Sequence, residues 1–209
     1  MINILFVYDN FTNGGIEKYM LNVIDYIDKS KVNISVLLPN CKFSYEDELL
    51  KRNITIFRYQ RDDQRVLYKS LCDTVSDNHF DIVHIMVSHL AFSELFVFYA
   101  LRIKYKYKII VHSHSTKIEE SKNIITKLRH KVTWPIHHIL YKFADYKVGC
   151  SEMAVLSMFG KGKYQVLNNG IDLKQFAGGG YIPISVKFRE FEYRCCCKNI
   201  IRKEPILYY

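Results

Sequence analysis

The chain has 209 residues, 49% of them apolar and 24% charged, with a formal net charge of +9. That length suits one domain with a well-buried core and is short for two, and the composition is that of an ordinary globular protein. No apolar run approaches the roughly 20 residues of a membrane span, and the opening stretch lacks the basic start and small-residue cleavage site of a signal peptide, so a cytosolic chain is expected.

Taken in order, strand and helix patterns alternate. Ile2 to Tyr8 is an apolar, strand-like run; a polar turn follows, and Gly14-Gly15 ends it where a helical pattern begins. The first turn of a helix leaves backbone N–H groups without intrahelical partners, and the macrodipole adds partial positive charge there. A strand, a glycine turn and a helix start can therefore hold an anion such as a phosphate, because no Cβ stands between backbone and ligand. The plainer reading is a tight turn alone, and the spaced glycines of the dinucleotide fingerprint are absent. In the helix, Ile16, Tyr19, Met20, Val23, Ile24 and Ile27 recur at helical spacing and give it one core face.

Val32 to Leu38 reads as the second strand, Glu46 to Arg52 as a short helix and Ile54 to Phe57 as the third strand. Gln64 to Asn78 is a surface helix, Asp81 to Ile85 the fourth strand and Leu90 to Arg102 an unusually apolar helix. Lys108 to His114 is the fifth strand, running into a polar turn. A long basic helical region spans about Glu119 to Phe143, broken or kinked at Pro135. Asp145 to Cys150 is the sixth strand, Ser151 a helix N-cap, and Tyr164 to Leu167 a last short strand before Asn168-Asn169-Gly170.

Strands this apolar, alternating with helices, imply an α/β fold with a Rossmann-like parallel sheet and helices on both faces. In such folds ligands bind outside the carboxyl ends of the strands. The rule selects Asp9 to Gly15, including Asn13 and Gly14, His84 to Ser88, His112 to Thr116, including Ser113 and His114, and Ser151; Glu17 and Asn169 complete the expected cleft rim. His84 and His112 also fit as satisfied structural residues. No third ligand accompanies His112 and His114, so no metal site is expected. The six cysteines fit neither a disulfide framework nor a zinc spacing; Cys41, Cys72 and Cys150 read as reduced residues in or near the core.

Several stretches carry a family resemblance: Gly14-Gly15-Ile16-Glu17-Lys18, Asp81-Ile-Val-His84, Val111-His-Ser-His-Ser115, the strand to Cys150-Ser151, and Asn169-Gly170-Ile171-Asp172 with Phe176. In that order they resemble the N-terminal half of glycosyltransferase family 4, over about residues 1–176. The resemblance implies one half of a GT-B fold, two Rossmann-like domains facing a cleft. It implies transfer of a sugar from a nucleotide-sugar, with retention of configuration, to a glycan or lipid-linked acceptor, as in cell-surface polysaccharide synthesis. The nucleotide-sugar is a substrate, and no cofactor is implied. Gly14 and Gly15 would lie near the donor diphosphate and His114, the catalytic candidate, near the transferred sugar. The other class of reading is a non-catalytic Rossmann-like module that pairs with a separate donor-binding subunit.

Residues 102–147 carry 11 Lys/Arg against three Asp/Glu, most of the chain's excess charge. Interleaved with apolar residues, they suit an anionic membrane surface, which would place the protein on the inner face of the cell membrane. A solvated helix packed on the sheet fits the same pattern. No recognised nucleic-acid module accompanies the charge, so no nucleic-acid partner is expected. Residues 177–209, with Gly178-Gly179-Gly180 and Cys195-Cys196-Cys197, show no period and read as an irregular tail, truncated or out of frame, leaving the isolated chain inactive.

Overall fold

The computed structural model describes residues 1–8, 14–41, 43–60, 64–87, 92–114, 139–171 and 207–208. Seven strands form one parallel sheet: β1 (Ile2–Tyr8), β2 (Val32–Pro39), β3 (Thr55–Tyr59), β4 (Ile82–Val87), β5 (Lys108–Ser113), β6 (Tyr146–Gly149) and β7 (Gln165–Val166). Their order is β3-β2-β1-β4-β5-β6-β7, so the winding reverses between β1 and β4. This is the Rossmann-like α/β architecture expected from the alternation.

The helices divide between the faces as the winding requires. On one face α1 (Gly15–Tyr26) and α2 (Glu46–Lys51) bury Met20, Ile24 and Leu49 against Ile4, Phe6, Val36 and Ile110. On the other, α3 (Gln64–Asp77), α4 (Phe92–Tyr105) and α5 (Glu152–Phe159) bury Leu71, Phe98 and Val155 against Leu5, Leu37, Val83 and Val111. Period-two alternation sends neighbours on each strand to opposite cores, and both cores need apolar residues. The six residues of β4 are accordingly all buried.

Carboxylates just ahead of two strands tie the amino edge together. Asp81 accepts from the backbone N–H of Asn3 at 2.8 Å and Asp145 from that of Ile109 at 2.9 Å, each joining its strand to a neighbour. Asp145 also meets Arg102 at 2.8 Å and Lys108 at 3.3 Å. Burial pushes its pKa upward, but the Ile109 N–H, Lys108 and Arg102 together outweigh that and hold it below the usual carboxylate range.

Two expectations change. Cys41 is exposed rather than packed in or near the core, because it follows β2 in the turn beyond Pro39. A second, two-stranded antiparallel sheet joins β8 (Gly170–Ile171) to β9 (Leu207–Tyr208), so the tail contributes one short strand where its sequence predicts no element. The remaining tail and the basic stretch from 115 to 138, with its Pro135 kink, lie outside the described residues. Among the described residues no helix is long and apolar enough to cross a membrane.

Candidate functional site

The winding reverses between β1 and β4, and at such a reversal doubly wound sheets bind ligands in a crevice outside the carboxyl edge. One wall is the start of α1. Gly14 is its N-cap, in extended conformation at φ −130° and ψ −177°, with no side chain to cap the first turn. The two glycines differ in what surrounds them. A Cβ on Gly14 would lie 2.8 Å from Glu17 Oε2, whereas a Cβ on Gly15 would meet nothing within 4 Å among the described residues. The open approach to the helix end is therefore at Gly15. Asn13 lies outside the described residues.

The other wall is the end of β5. His114 follows the strand, its backbone N–H donating to Val87 O at 3.3 Å, which holds it against the end of β4. Its ring lies 4.0 Å, centroid to centroid, from that of His112 and 5.2 Å from Tyr19. His112 in turn stacks on His84 with centroids 5.4 Å apart, Nε2 of His84 being 3.3 Å from Nδ1 of His112. All three histidines stand on the α1 face, forming a row from the sheet interior to the strand end. Tyr19, one helical turn beyond Gly15, packs against the outer two.

Burial sets the protonation of this row. It lowers the His114 pKa to about 4 and that of His84 to about 3, with His114 adding a smaller effect at His84; His112 falls well below its usual value through burial first and then through His114 and His84. All three are neutral near pH 7. Both ring nitrogens of His114 and Nε2 of His112 are buried without a hydrogen-bond partner among the described residues. A neutral imidazole can both donate and accept, so His114 suits a ligand hydroxyl better than a bare charge.

Four residues expected on the open rim lie beneath it instead. Glu17, His84, His112 and Ser113 are 1%, 1%, 0% and 0% exposed. Glu17 sits in the first turn of α1 below Gly14, and the two histidines are covered by α1. Ser113 faces the opposite side and donates to Ala154 O at 3.1 Å, fixing α5 to β5. Ser151 caps α5, accepting from the Ala154 N–H at 3.1 Å as the pattern predicts, and it follows β6 at the same edge. Asn169 is exposed in the turn after β7. Two further residues belong to the site without a clear signal in the sequence. Tyr19 reads only as a core position, and Asn22, whose amide donates to Gly170 O at 2.7 Å and holds that turn to α1, is signalled only as a polar residue interrupting an apolar face. Among the described residues no group of three His, Cys, Asp or Glu is placed to hold a metal ion.

The family model for Glycosyltransferase Family 4 matches residues 13–175, from the glycine turn through the last strands. The chain belongs to glycosyltransferase family 4. Among curated proteins it is 26% identical over 187 residues to "Putative glycosyltransferase EpsF" of Bacillus subtilis (strain 168), covering 85% of this chain and 47% of that protein. Among solved structures it is similar to Anabaena HepE in complex with UDP and glucose, at TM-score 0.60 and 17% identity over 83% of this chain and 46% of HepE. Acinetobacter baumannii MurG superposes at TM-score 0.50 and 9% identity over 80% of this chain and 45% of MurG. The chain thus spans about half the length of the relatives it matches, with one half of the GT-B fold of family 4.

Proposed function

We propose that this chain is the acceptor-side half of a retaining glycosyltransferase that moves a sugar from a nucleotide-sugar to a glycan or lipid-linked acceptor, as in cell-surface polysaccharide synthesis. The observation that carries this is the placement at the winding reversal. The start of α1, open at Gly15 among the described residues, and the neutral imidazole of His114, whose ring nitrogens are without a partner among the described residues, stand on the same face and are joined through Tyr19 of α1. In transfer, the bond from the anomeric carbon to the diphosphate oxygen breaks and a bond to the acceptor oxygen forms, with loss of the acceptor hydroxyl's proton. Negative charge develops on the departing diphosphate, and fixed N–H groups aimed there favour the transition state. The start of α1 at Gly14-Gly15 supplies such groups. His114 hydrogen-bonds a hydroxyl of the transferred sugar, and His112 and Tyr19 hold its ring. The unit is residues 1–176, with 177–209 a tail that adds the short strand Leu207–Tyr208 beside Gly170–Ile171. The nucleotide's base and ribose are held by a second domain, on the same polypeptide or on a separate subunit.

EpsF is itself named a glycosyltransferase, and HepE was solved with UDP and glucose, which supports the donor class. Holding donor and acceptor together is worth roughly 7–11 kcal/mol of barrier when the geometry is right, and half a cleft does not supply it. The isolated chain is therefore expected not to turn over. Saturation-transfer NMR of the 209-residue chain with UDP-glucose tests the reading. Contact at the sugar and diphosphate, with the uracil free, is expected; a signal dominated by the base, or none at all, would refute it.

A second proposal concerns the basic segment, which we place against an anionic membrane. Ile103, Ile139 and Phe143 are 83%, 54% and 60% exposed, and Lys104, Lys106 and Lys142 lie exposed in the same stretches. Sedimentation with phosphatidylserine vesicles should weaken steeply as salt rises. Equal binding to neutral vesicles would leave only packing to explain the segment.

A further inference from the structure

At the opposite edge of the sheet the described residues enclose a second charged pocket. Lys142 and Lys147 flank the start of β6, and the loop Gly160-Lys161-Gly162-Lys163 leads into β7 beside them. With Phe159 and Tyr164 these residues line a pocket of about 280 Å³. The strands are parallel, so the starts of β6 and β7 lie together at the amino edge, a strand length away from Gly15 and His114. The loop owes its shape to its glycines: Gly160 at φ 67° and Gly162 at φ 156° take backbone conformations that side chains disfavour.

Four lysines line this small space, and no described residue carries a charge that offsets theirs there. No carboxylate lines the pocket. Asp145, the nearest in the chain, is committed to Arg102, Lys108 and the Ile109 N–H. Among the described residues none of the four lysines forms an ion pair or hydrogen bond. The plain alternative is that they complement the C-terminal end of α5, which stops at Phe159. A helix end carries only about half an elementary charge, so one lysine would offset it and three would remain.

The geometry points to a phosphomonoester site here, in which Lys142, Lys147, Lys161 and Lys163 surround one dianionic phosphate and the aromatic rings of Phe159 and Tyr164 bound the rest of the pocket. The volume lies at the lower end of the roughly 300–1,000 Å³ range of small-ligand pockets, which suits a small phosphate ester. Charge-assisted hydrogen bonds from lysines serve a phosphate as point charges without demanding a fixed fork geometry. The phosphate has two chemical sources, a soluble phosphate ester or the headgroup of a phosphomonoester lipid. Such a site requires neither sugar transfer at the crevice nor general adsorption to a membrane.

Isothermal titration of the full chain with glycerol 3-phosphate at low salt is the first measurement. Saturable binding is expected, with a loss of about tenfold or more in Lys161→Ala/Lys163→Ala, where two charged contacts disappear. Lys29→Ala/Lys69→Ala removes the same charge from exposed positions outside the pocket and should change affinity by less than about twofold. The second measurement compares vesicles of phosphatidic acid and phosphatidylserine matched for surface charge. A preference for phosphatidic acid that is lost in Lys161→Ala/Lys163→Ala identifies the lipid headgroup, and glycerol 3-phosphate binding without that preference identifies a soluble ester. General adsorption alone would treat the two lipids alike. Absence of both signals overturns the site, as does glycerol 3-phosphate binding that persists in Lys161→Ala/Lys163→Ala and vanishes in Gly15→Val, or an equal loss in the two double variants.

Discussion

The two faces of the sheet are built by the same strands and differ in chemistry. Toward α3, α4 and α5, the buried residues of β1, β4 and β5 are Leu5, Val7, Val83, Ile85, Val87, Ile109 and Val111, joined by one polar side chain, Ser113, which donates to Ala154 O. Toward α1, the same strands place Ile4, Phe6, Ile82, Met86 and Ile110 beside His84 and His112, and α1 adds Glu17, Tyr19 and Asn22. Burying polar groups is costly unless they are paired, and an unsatisfied one costs about 1–3 kcal/mol. An apolar second face would have been the more stable solution. Among the described residues the buried histidines gather on one face and toward one edge, which separates an apolar packing face from one that carries the candidate site.

The largest effect should come from the packing face. Phe98 is fully buried against it, and Phe98→Ala should cost about 3–5 kcal/mol, read as a lower denaturant midpoint with unchanged slope. A cost below about 1 kcal/mol would mean that this face collapses readily around a cavity and that the contrast in packing is overstated.

Acid should act through the other face. The folded-state pKa values of His84, His112 and His114 all lie below the ordinary 6.5, so between pH 6.5 and about 4 the unfolded chain binds more protons than the folded one. The contribution is complete above pH 6.5 and is lost as pH falls through that window, with proton uptake on unfolding approaching one per histidine. Equilibrium unfolding across pH 4 to 7 measures it. Replacing His84 and His112 together by Leu removes both partners of one buried hydrogen bond, a change that can be nearly neutral at pH 7, and should flatten the acid limb. An acid limb of unchanged slope in that variant would assign it to the carboxylates.

How far this division is legible without coordinates depends on whether the signal is local. The seven strands and their helices follow from apolar runs and helical spacing, and Ser151 as an N-cap follows from one residue at a strand-to-helix junction. The carboxyl-edge location of Gly15, His114 and Ser151 follows from the same alternation. What each face packs against is not local. Period-two alternation puts His112 and His114 on one side, yet their cover depends on how α1 docks, so the pattern alone assigns His84, His112 and Glu17 to an open rim that they lie beneath. Tyr19 is legible as a core position and not as the ring that touches both histidines. The pairing of Gly170–Ile171 with Leu207–Tyr208 joins segments with no shared pattern.

Ser151→Ala gives a smaller effect and tests the seam between the faces. Losing the Ser151 Oγ acceptor leaves the Ala154 N–H without its cap, at a cost of about 1 kcal/mol. Ser113, which donates to Ala154 O from below, should still hold the start of α5 to β5. Amide exchange in the first turn of α5 should therefore speed up while that of β5 does not. Faster exchange in both would show that the cap and the strand open as one unit.

The smallest effect on stability is predicted at Gly15, and it is the sharpest test of the functional face. Gly15 is the first residue of α1 and its backbone is not in the positive-φ region; a Cβ there meets no atom of the described residues within 4 Å. Gly15→Val should therefore leave the denaturant midpoint within about 0.5 kcal/mol of the parent, as for other substitutions that touch no neighbour. Gly14→Ala differs, because its methyl would come 2.8 Å from Oε2 of the buried Glu17 carboxyl. That change should cost about 1 kcal/mol, within the ordinary range for a substitution that disturbs a helix cap and its neighbour. Binding should separate the pair in the opposite sense. The valine methyl groups fill the open volume over the helix N–H groups, the volume a diphosphate would occupy, so the contacts of UDP-glucose seen by saturation transfer should disappear in Gly15→Val while the fold persists. If Gly15→Val unfolds the chain, the turn is structural; if it folds and keeps those contacts, the anion lies elsewhere and the start of α1 has no part in holding the donor.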